Sequence, residues 1–119
     1  MNIGIEHLDF EHLLGVGAAP RPKFSAGTVL GHMHLNVSDL DVSQAFYEAL
    51  GMALTAEAGG AMRFLSWEGY HHHLGINLLE GRGAAPVAAD VAGLSRFEIG
   101  RSHTAQNDPN GILLSPIPL

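Results

Sequence analysis

The segment Val29-Leu30-Gly31-His32-Met33-His34-Leu35-Asn36-Val37, running directly into Ser38-Asp39-Leu40-Asp41, limits this chain to a small set of folds. Side chains on a strand alternate with period two, so Val29, Met33, Leu35 and Val37 fall on one face. His32, His34 and Asn36 fall on the other. The next residues change period. Asp41 is read as a helix N-cap, with Gln44 three residues on as its capping-box partner. Val42, Ala45, Phe46, Ala49 and Leu50 follow at helical spacing, and Gly51 supplies a stop. The helix, near 41–50, covers the apolar face of the strand. The other face presents polar groups to a space where function is to be sought.

A chain of 119 residues, 46% of them hydrophobic, makes one domain with a modest core. No run reaches the roughly 18 uninterrupted apolar residues that a membrane span needs. The N-terminus has no basic region followed by an apolar core, which predicts no signal peptide and a cytoplasmic location. Cysteine is absent, which removes disulfides, thiolate nucleophiles and zinc-thiolate sites together. The net charge is −6 and the six basic residues stand singly. A nucleic-acid partner needs a basic patch to neutralise phosphates, so none is expected. Eight histidines stand out, five of them at 32, 34 and 71–73.

In the lead-in, 1–27, Asp9 can cap a short helix carrying Phe10, Leu13 and Leu14 and ended by Gly15. Gly17 to Gly27, with Pro20 and Pro22, reads as linker. Beyond the helix, strands are expected over Met52 to Glu57, Ala61 to Trp67 and Tyr70 to Leu79, with Glu68-Gly69 as a tight connection. On the second of these, Met62 and Phe64 share one face, and Arg63, Leu65 and Trp67 the other. Gly81 to Gly93 reads as a loop and Leu94 to Ile99 as another strand. Arg101 to Gly111 is turn-rich, ending in the strong turn signal Asp108-Pro109-Asn110-Gly111. Ile112 to Leu114 makes a last short strand, before Pro116 and Pro118 forbid central pairing. Met33 and Met62 are core filler.

The order over 28–80 is therefore strand, helix, strand, strand, strand, an α+β arrangement. Three stretches carry a resemblance: Gly31-His32-Met33-His34-Leu35-Asn36-Val37-Ser38-Asp39-Leu40, Ala45-Phe46-Tyr47-Glu48-Ala49-Leu50-Gly51-Met52 and Gly69-Tyr70-His71-His72-His73-Leu74-Gly75-Ile76-Asn77. Together they resemble the vicinal oxygen chelate superfamily of glyoxalases, extradiol dioxygenases and bleomycin-resistance proteins. The likeness is to the C-terminal half of catechol 2,3-dioxygenase-like members, over about residues 28–99. Asp108 to Ile112 resembles that family's closing turn and strand, and Leu8-Asp9-Phe10 with Leu13-Leu14 resembles the linker between halves. The resemblance implies a βαβββ glyoxalase-like module at 28–80, followed by an abbreviated second module at 93–119. It also implies a homodimer that covers the sheet edge the short module leaves open.

Strand parity sorts the candidate site residues. On the Tyr70–Leu79 strand, His72, Leu74, Ile76 and Leu78 are expected under the helix, and His71, His73, Gly75 and Asn77 opposite. On the 94–99 strand, Phe97 and Ile99 face the core and Leu94, Arg96 and Glu98 the concave side. His32, His34, Asn36, His71, His73, Asn77, Arg96 and Glu98 would then converge. His34, His71 and His73 are the acid/base candidates, because imidazole titrates near neutral pH. Asn36, Trp67, Tyr70, Asn77 and Arg96 are ligand-binding candidates. Each also has a purely structural reading: the aromatics as core or interface, Arg96 and Glu98 as an ion pair.

The resemblance places His32 at the family's first-strand metal histidine. Arg96 stands where metal-binding members carry a second histidine, and Leu113 and Leu114 stand near the expected glutamate. Two of three inherited ligands are thus missing, and a guanidinium cannot ligate. No tightly bound metal is expected. Iron, manganese, zinc or nickel could be held only by an improvised set, His32 with His71 or His73 and Glu98. Three readings follow: a metal-poor lyase, isomerase or cyclase acting on a small organic molecule, aromatic ones included; a sequestering protein of the bleomycin-resistance type; and an iron or manganese extradiol dioxygenase. Fold alone does not choose among them.

Overall fold

The computed structural model describes residues 9–17, 23–88, 90–100 and 104–117, in two units, Met1–Gly31 and His32–Leu119. The first unit holds one helix, α1 (Phe10–Val16), capped by the Asp9 carboxylate, which accepts from the His12 amide at 2.9 Å. The helix runs through Gly15 and is capped at Gly17. Glycine weakens a helix interior but does not end it by itself. Part of the expected linker, 18–22 with both its prolines, lies outside the described residues, as does Leu8.

The second unit opens with β1 (Met33–Asn36), shorter than expected; Val29 and Leu30 are exposed and lie outside it. Alternation holds within the strand, with Leu35 buried and His34 and Asn36 exposed. The helix α2 (Leu40–Ala49) starts one step earlier than the sequence suggested. Its N-cap is Asp39, not Asp41, and the Asp39 carboxylate accepts from the Val42 amide at 2.9 Å. Asp41 instead meets Arg63 at 2.7 Å. Gln44 does not turn back on a cap; it bonds Glu48 and Arg63. At the other end Gly51, at φ 89°, donates to the Glu48 carbonyl and Met52 to that of Tyr47. These two bonds close a Schellman motif, satisfying carbonyls the helix leaves over.

The buried stripe of α2 also differs. Leu40, Ser43 and Tyr47 point inward, with Phe46 and Leu50 partly buried, while Val42 is exposed along with Ala45 and Ala49. Tyr47 explains the rotation. Its ring is wholly buried and its hydroxyl donates to Asp108 Oδ2 at 2.9 Å. A phenol supplied with an acceptor brings far more apolar area inside than an alanine can.

Three more strands complete the first sheet: β2 (Ala53–Ala58), β3 (Met62–Ser66) and β4 (Leu74–Asn77), in the order β1-β4-β3-β2. β1 and β4 run parallel, with His34 opposite Gly75 and Leu35 opposite Ile76. The other pairs are antiparallel, with a register shift in β2 between Leu54 and Ala56. Arg63 and Trp67, expected on one face, both reach the helix: Arg63 bonds Gln44 at 2.8 Å, and Trp67 Nε1 donates to the Leu50 carbonyl. Met33 and Met62 are both half-buried, and Met33 packs against the core.

A second sheet has the order β5-β7-β6, from β5 (Arg96–Ile99), β6 (Gln106–Asn107) and β7 (Leu113–Pro116). Phe97 and Ile99 face inward, as parity predicted. β6 falls in the stretch read as turns, of which 101–103 lies outside the described residues. β7 is paired on both sides, contrary to the expectation from Pro116. Its donors toward β5 are at odd positions, Leu113 to Ser95 and Ile117 to Ile99. The missing N–H of Pro116 therefore faces the other side, past the end of β6, where no ladder bond is lost. Among the described residues no helix is long and apolar enough to cross a membrane.

Asp108 ties these parts together by accepting four hydrogen bonds, from the Tyr47 hydroxyl, the Asn110 side chain, and the Asn110 and Ile112 amides. Burial and then the Asp108 charge push the Tyr47 hydroxyl's pKa up, so it remains a donor at any ordinary pH. Tyr47→Phe should cost about 2 kcal/mol of unfolding free energy, the range for a hydrogen bond to a charged group. Asp108→Ala should cost more, because it strands several buried donors at once. Urea denaturation checks both, and a Tyr47→Phe loss below about 0.5 kcal/mol would contradict this account of the contact.

Candidate functional site

Where β3 turns into β4, the chain departs from simple alternation. Glu68 and Gly69, at φ 56° and 71°, make the expected tight turn, with Tyr70 donating to the Trp67 carbonyl. In the ladder below, Leu65 pairs with Leu74 and Phe64 with Gly75. Two steps down one arm therefore correspond to four on the other, so two additional residues bulge out before β4 begins. Hydroxyls cover the freed carbonyls: Ser66 bonds that of Tyr70, and Thr55 Oγ1 lies 2.6 Å from that of His71. Over 71–73 alternation is suspended, as is usual at a bulge.

The bulge redistributes the three consecutive histidines, and the parity expectation fails here. His72 does not pack under the helix. Its ring lies 4.4 Å from that of His32, 5.7 Å from His34 and 4.9 Å from Phe64. His73 goes the other way, its ring 5.6 Å from Trp67 and its Nδ1 accepting from the Trp67 amide at 3.3 Å. His71 is exposed, its Nδ1 2.8 Å from His72 Nδ1 and its ring against Tyr70. The nitrogens that gather are those of His32, His34 and His72, with one atom from each lying within 4.8 Å of the others. Phe64, also 5.9 Å from His34, forms the apolar floor.

Gly75 makes room for this cluster. A Cβ at that position would stand 2.8 Å from the His34 ring, so only glycine lets the imidazole lie across the neighbouring strand. Partial burial and then the charge on His32 lower the His34 pKa. Burial likewise lowers that of His72, helped by His32, His71, His34 and His73.

The remaining candidates stand elsewhere. Trp67 packs over Gly51 and bonds Leu50, on the helix side. Tyr70, half exposed, stacks on His71 and His73. Asn77 is buried and accepts from the Leu79 amide, a local turn role. Arg96 and Glu98 are exposed and pair with each other at 3.4 Å. The metal set implied by the family resemblance does not assemble: Arg96 is a paired cation and Leu114 lies wholly buried in the core. The improvised set with Glu98 is likewise not the group that gathers. His72 was not among the expected site residues: two additional residues leave the parity of Leu74 and Ile76 unchanged, so the apolar pattern gives no sign of the bulge.

Beside His34 lies an open cleft of about 610 Å³. His34, Asn36, Ser38 and Glu80 line its polar side, and Pro86, Val87, Val91, Leu94 and Ile112 its apolar wall. The wall is held by close backbone contacts. Gly83 donates to the Ser38 carbonyl, and Gly81 sits so near Val37 that a Cβ would come within 2.5 Å of its carbonyl oxygen. Asn110 Oδ1 accepts from the Ser38 amide at 3.0 Å, which fixes the closing turn against the end of β1. The cleft thus joins apolar surface to a few convergent polar groups, the usual composition of a small-molecule site.

Over 104 residues, 85% of the chain, the sequence is 36% identical to a catechol-2,3-dioxygenase of Bacillus subtilis (strain 168). The match spans 36% of that protein's length, so the chain corresponds to about a third of this relative. No family model matches the sequence and no solved structure matches it. The chain is therefore related in sequence to catechol-2,3-dioxygenase, and three of its histidines are placed where they could hold a metal ion.

The lowered values of His34 and His72 give a direct check. In metal-free protein, NMR titration should show both imidazoles losing their protons below the ordinary value of 6.5. A base whose folded pKa is depressed favours the fold when neutral. Its contribution is complete above the unfolded value and is lost as the pH falls from there through the folded value. Mutating His72 to Gln should therefore flatten the stability profile just below pH 6.5.

Proposed function

We propose that this chain is a vicinal oxygen chelate-type protein, similar to the C-terminal half of catechol 2,3-dioxygenase-like proteins, that takes a small organic molecule into the cleft beside His34. The observation that carries this reading is the cleft itself. Its volume is that of a small-molecule site, and its apolar wall suits a flat, aromatic ligand. Asn36 and Ser38 would orient polar substituents. His34, kept neutral by partial burial, would accept or return a proton, which is the work of a lyase, isomerase or cyclase. Sequestration without turnover, as in resistance proteins, would use the same cleft.

The identity with catechol-2,3-dioxygenase favours a second reading, an extradiol-type dioxygenase with iron or manganese. Arg96, Leu113 and Leu114, at the positions of two expected ligands, weigh against it. In assembly, β1 and β2 are both edge strands of the first sheet. A homodimer covering one of these edges is the proposed state, and light scattering that reports a monomer at micromolar concentration would rule it out.

Calorimetric titration with catechol and related aromatic diols tests the ligand. His34→Ala and Asn36→Ala should each weaken binding by about tenfold or more, equivalent to one lost hydrogen bond. Arg96→Ala should leave it unchanged. Binding that ignores His34 and Asn36 but falls with Arg96 would place the ligand elsewhere. His34→Gln separates the two roles of the cleft, since turnover lost with binding retained marks an enzyme.

A further inference from the structure

We propose that His32, His34 and His72 form a site for one divalent ion of the zinc, cobalt, nickel or copper class, with His71 as the positioning residue behind His72. This site is distinct from the set the family resemblance implies, of which it keeps only His32, and it does not depend on the organic-ligand reading above. One nitrogen of each imidazole already lies within 4.8 Å of the other two. Zinc–imidazole bonds of about 2.0–2.1 Å put tetrahedral ligand nitrogens roughly 3.3 Å apart. Closing that gap calls for side-chain rotation, and His32 and His34 are both exposed.

Three further observations point to an ion. His72 Nε2 is buried and has no hydrogen-bond partner, an exception for a polar side-chain atom. His72 Nδ1 lies 2.8 Å from His71 Nδ1. A proton on His72 Nδ1, donated to His71, leaves the buried Nε2 as a bare lone pair available to an ion. Metal-bound histidines are commonly held this way, by a partner on the other ring nitrogen. Finally, Gly75 keeps open the space that the His34 ring occupies, at a position where any Cβ would collide with it.

The donor set decides the ion. Three imidazoles without a carboxylate suit zinc, copper, nickel and cobalt, whereas magnesium, calcium and manganese favour oxygen ligands. The two-histidine, one-carboxylate set of non-haem iron oxygenases is not what gathers here. Three protein ligands leave a fourth position open, the arrangement of catalytic rather than structural zinc sites.

The test uses chelator-treated full-length protein titrated with zinc, cobalt and magnesium. One zinc per chain should bind, cobalt should develop the intense visible bands of a four-coordinate ion, and magnesium should do nothing. NMR of the unmutated protein should show zinc shifting the ring signals of His32, His34 and His72 but not His12. His72→Ala should cut zinc affinity more than about 100-fold, and His71→Ala about 10- to 100-fold, the range for loss of a ligand's hydrogen-bonding partner. Gly75→Ala should weaken binding with every ligand retained. No zinc binding in the unmutated protein, or zinc shifts confined to other histidines, would overturn the proposal. Zinc binding without affinity for aromatic diols would leave this site standing and remove the organic-ligand reading; the reverse result would do the opposite.

Discussion

A buried carboxylate organises this protein. Asp108 is only 4% exposed, and a charge taken out of water is tolerated only when its lone pairs are filled. The turn fills them from two directions. Locally, the Asn110 and Ile112 amides close onto Oδ1, with Gly111 at φ 87° bringing the chain around. From a distance, the Tyr47 hydroxyl arrives from the helix. Asn110, fixed by Asp108, then reaches Ser38 at the end of β1 and Ser43 on the helix. One side chain thereby sets the position of α2, the exit of β1 and the entry of β7. Ser38, Asn110, Gly111 and Ile112 also line the cleft, so this side of it follows from how the carboxylate is satisfied.

The sequence disclosed the elements more readily than their faces. Alternation in β1 and the helical stretch after it located a strand and a helix there, though not their ends, because each rests on a local period. The stripe of α2 was misjudged, because counting apolar residues favours Val42, Ala45 and Ala49 over Tyr47. Nothing local reveals that a phenol hydroxyl will find Asp108 sixty-one residues away. The N-cap erred for a related reason. Asp39 and Asp41 are equally able to cap, and burial of Leu40 selects Asp39.

The candidate site was legible in part. His32, His34 and Asn36 follow from parity on a regular strand. His72 does not, because its direction depends on two bulged residues visible only once the ladder register is known. A one-residue error in parity sends a side chain to the opposite face. Here the reversal was local: Leu74, Ile76 and Gly75 kept their expected faces while His72 and His73 exchanged theirs. The hydroxyls of Thr55 and Ser66 that stabilise the bulge carried a signal, but only in retrospect.

The histidine cluster is built from one part of the fold. Of the ligand positions the resemblance implies, the later ones hold a paired arginine, Arg96, and leucines, of which Leu114 is buried in the core. His32, His34 and His72 all belong to the first sheet or its immediate approaches, from β1 and from the segment entering its parallel neighbour β4. Their convergence needs the β1–β4 register, the bulge before Leu74 and a glycine opposite His34, and nothing from the second sheet. His34 additionally borders the cleft, so one imidazole is shared between the cluster and the space for a ligand. Any group held by the three histidines would thus lie next to any molecule held in the cleft, and the shared imidazole, His34, belongs to β1.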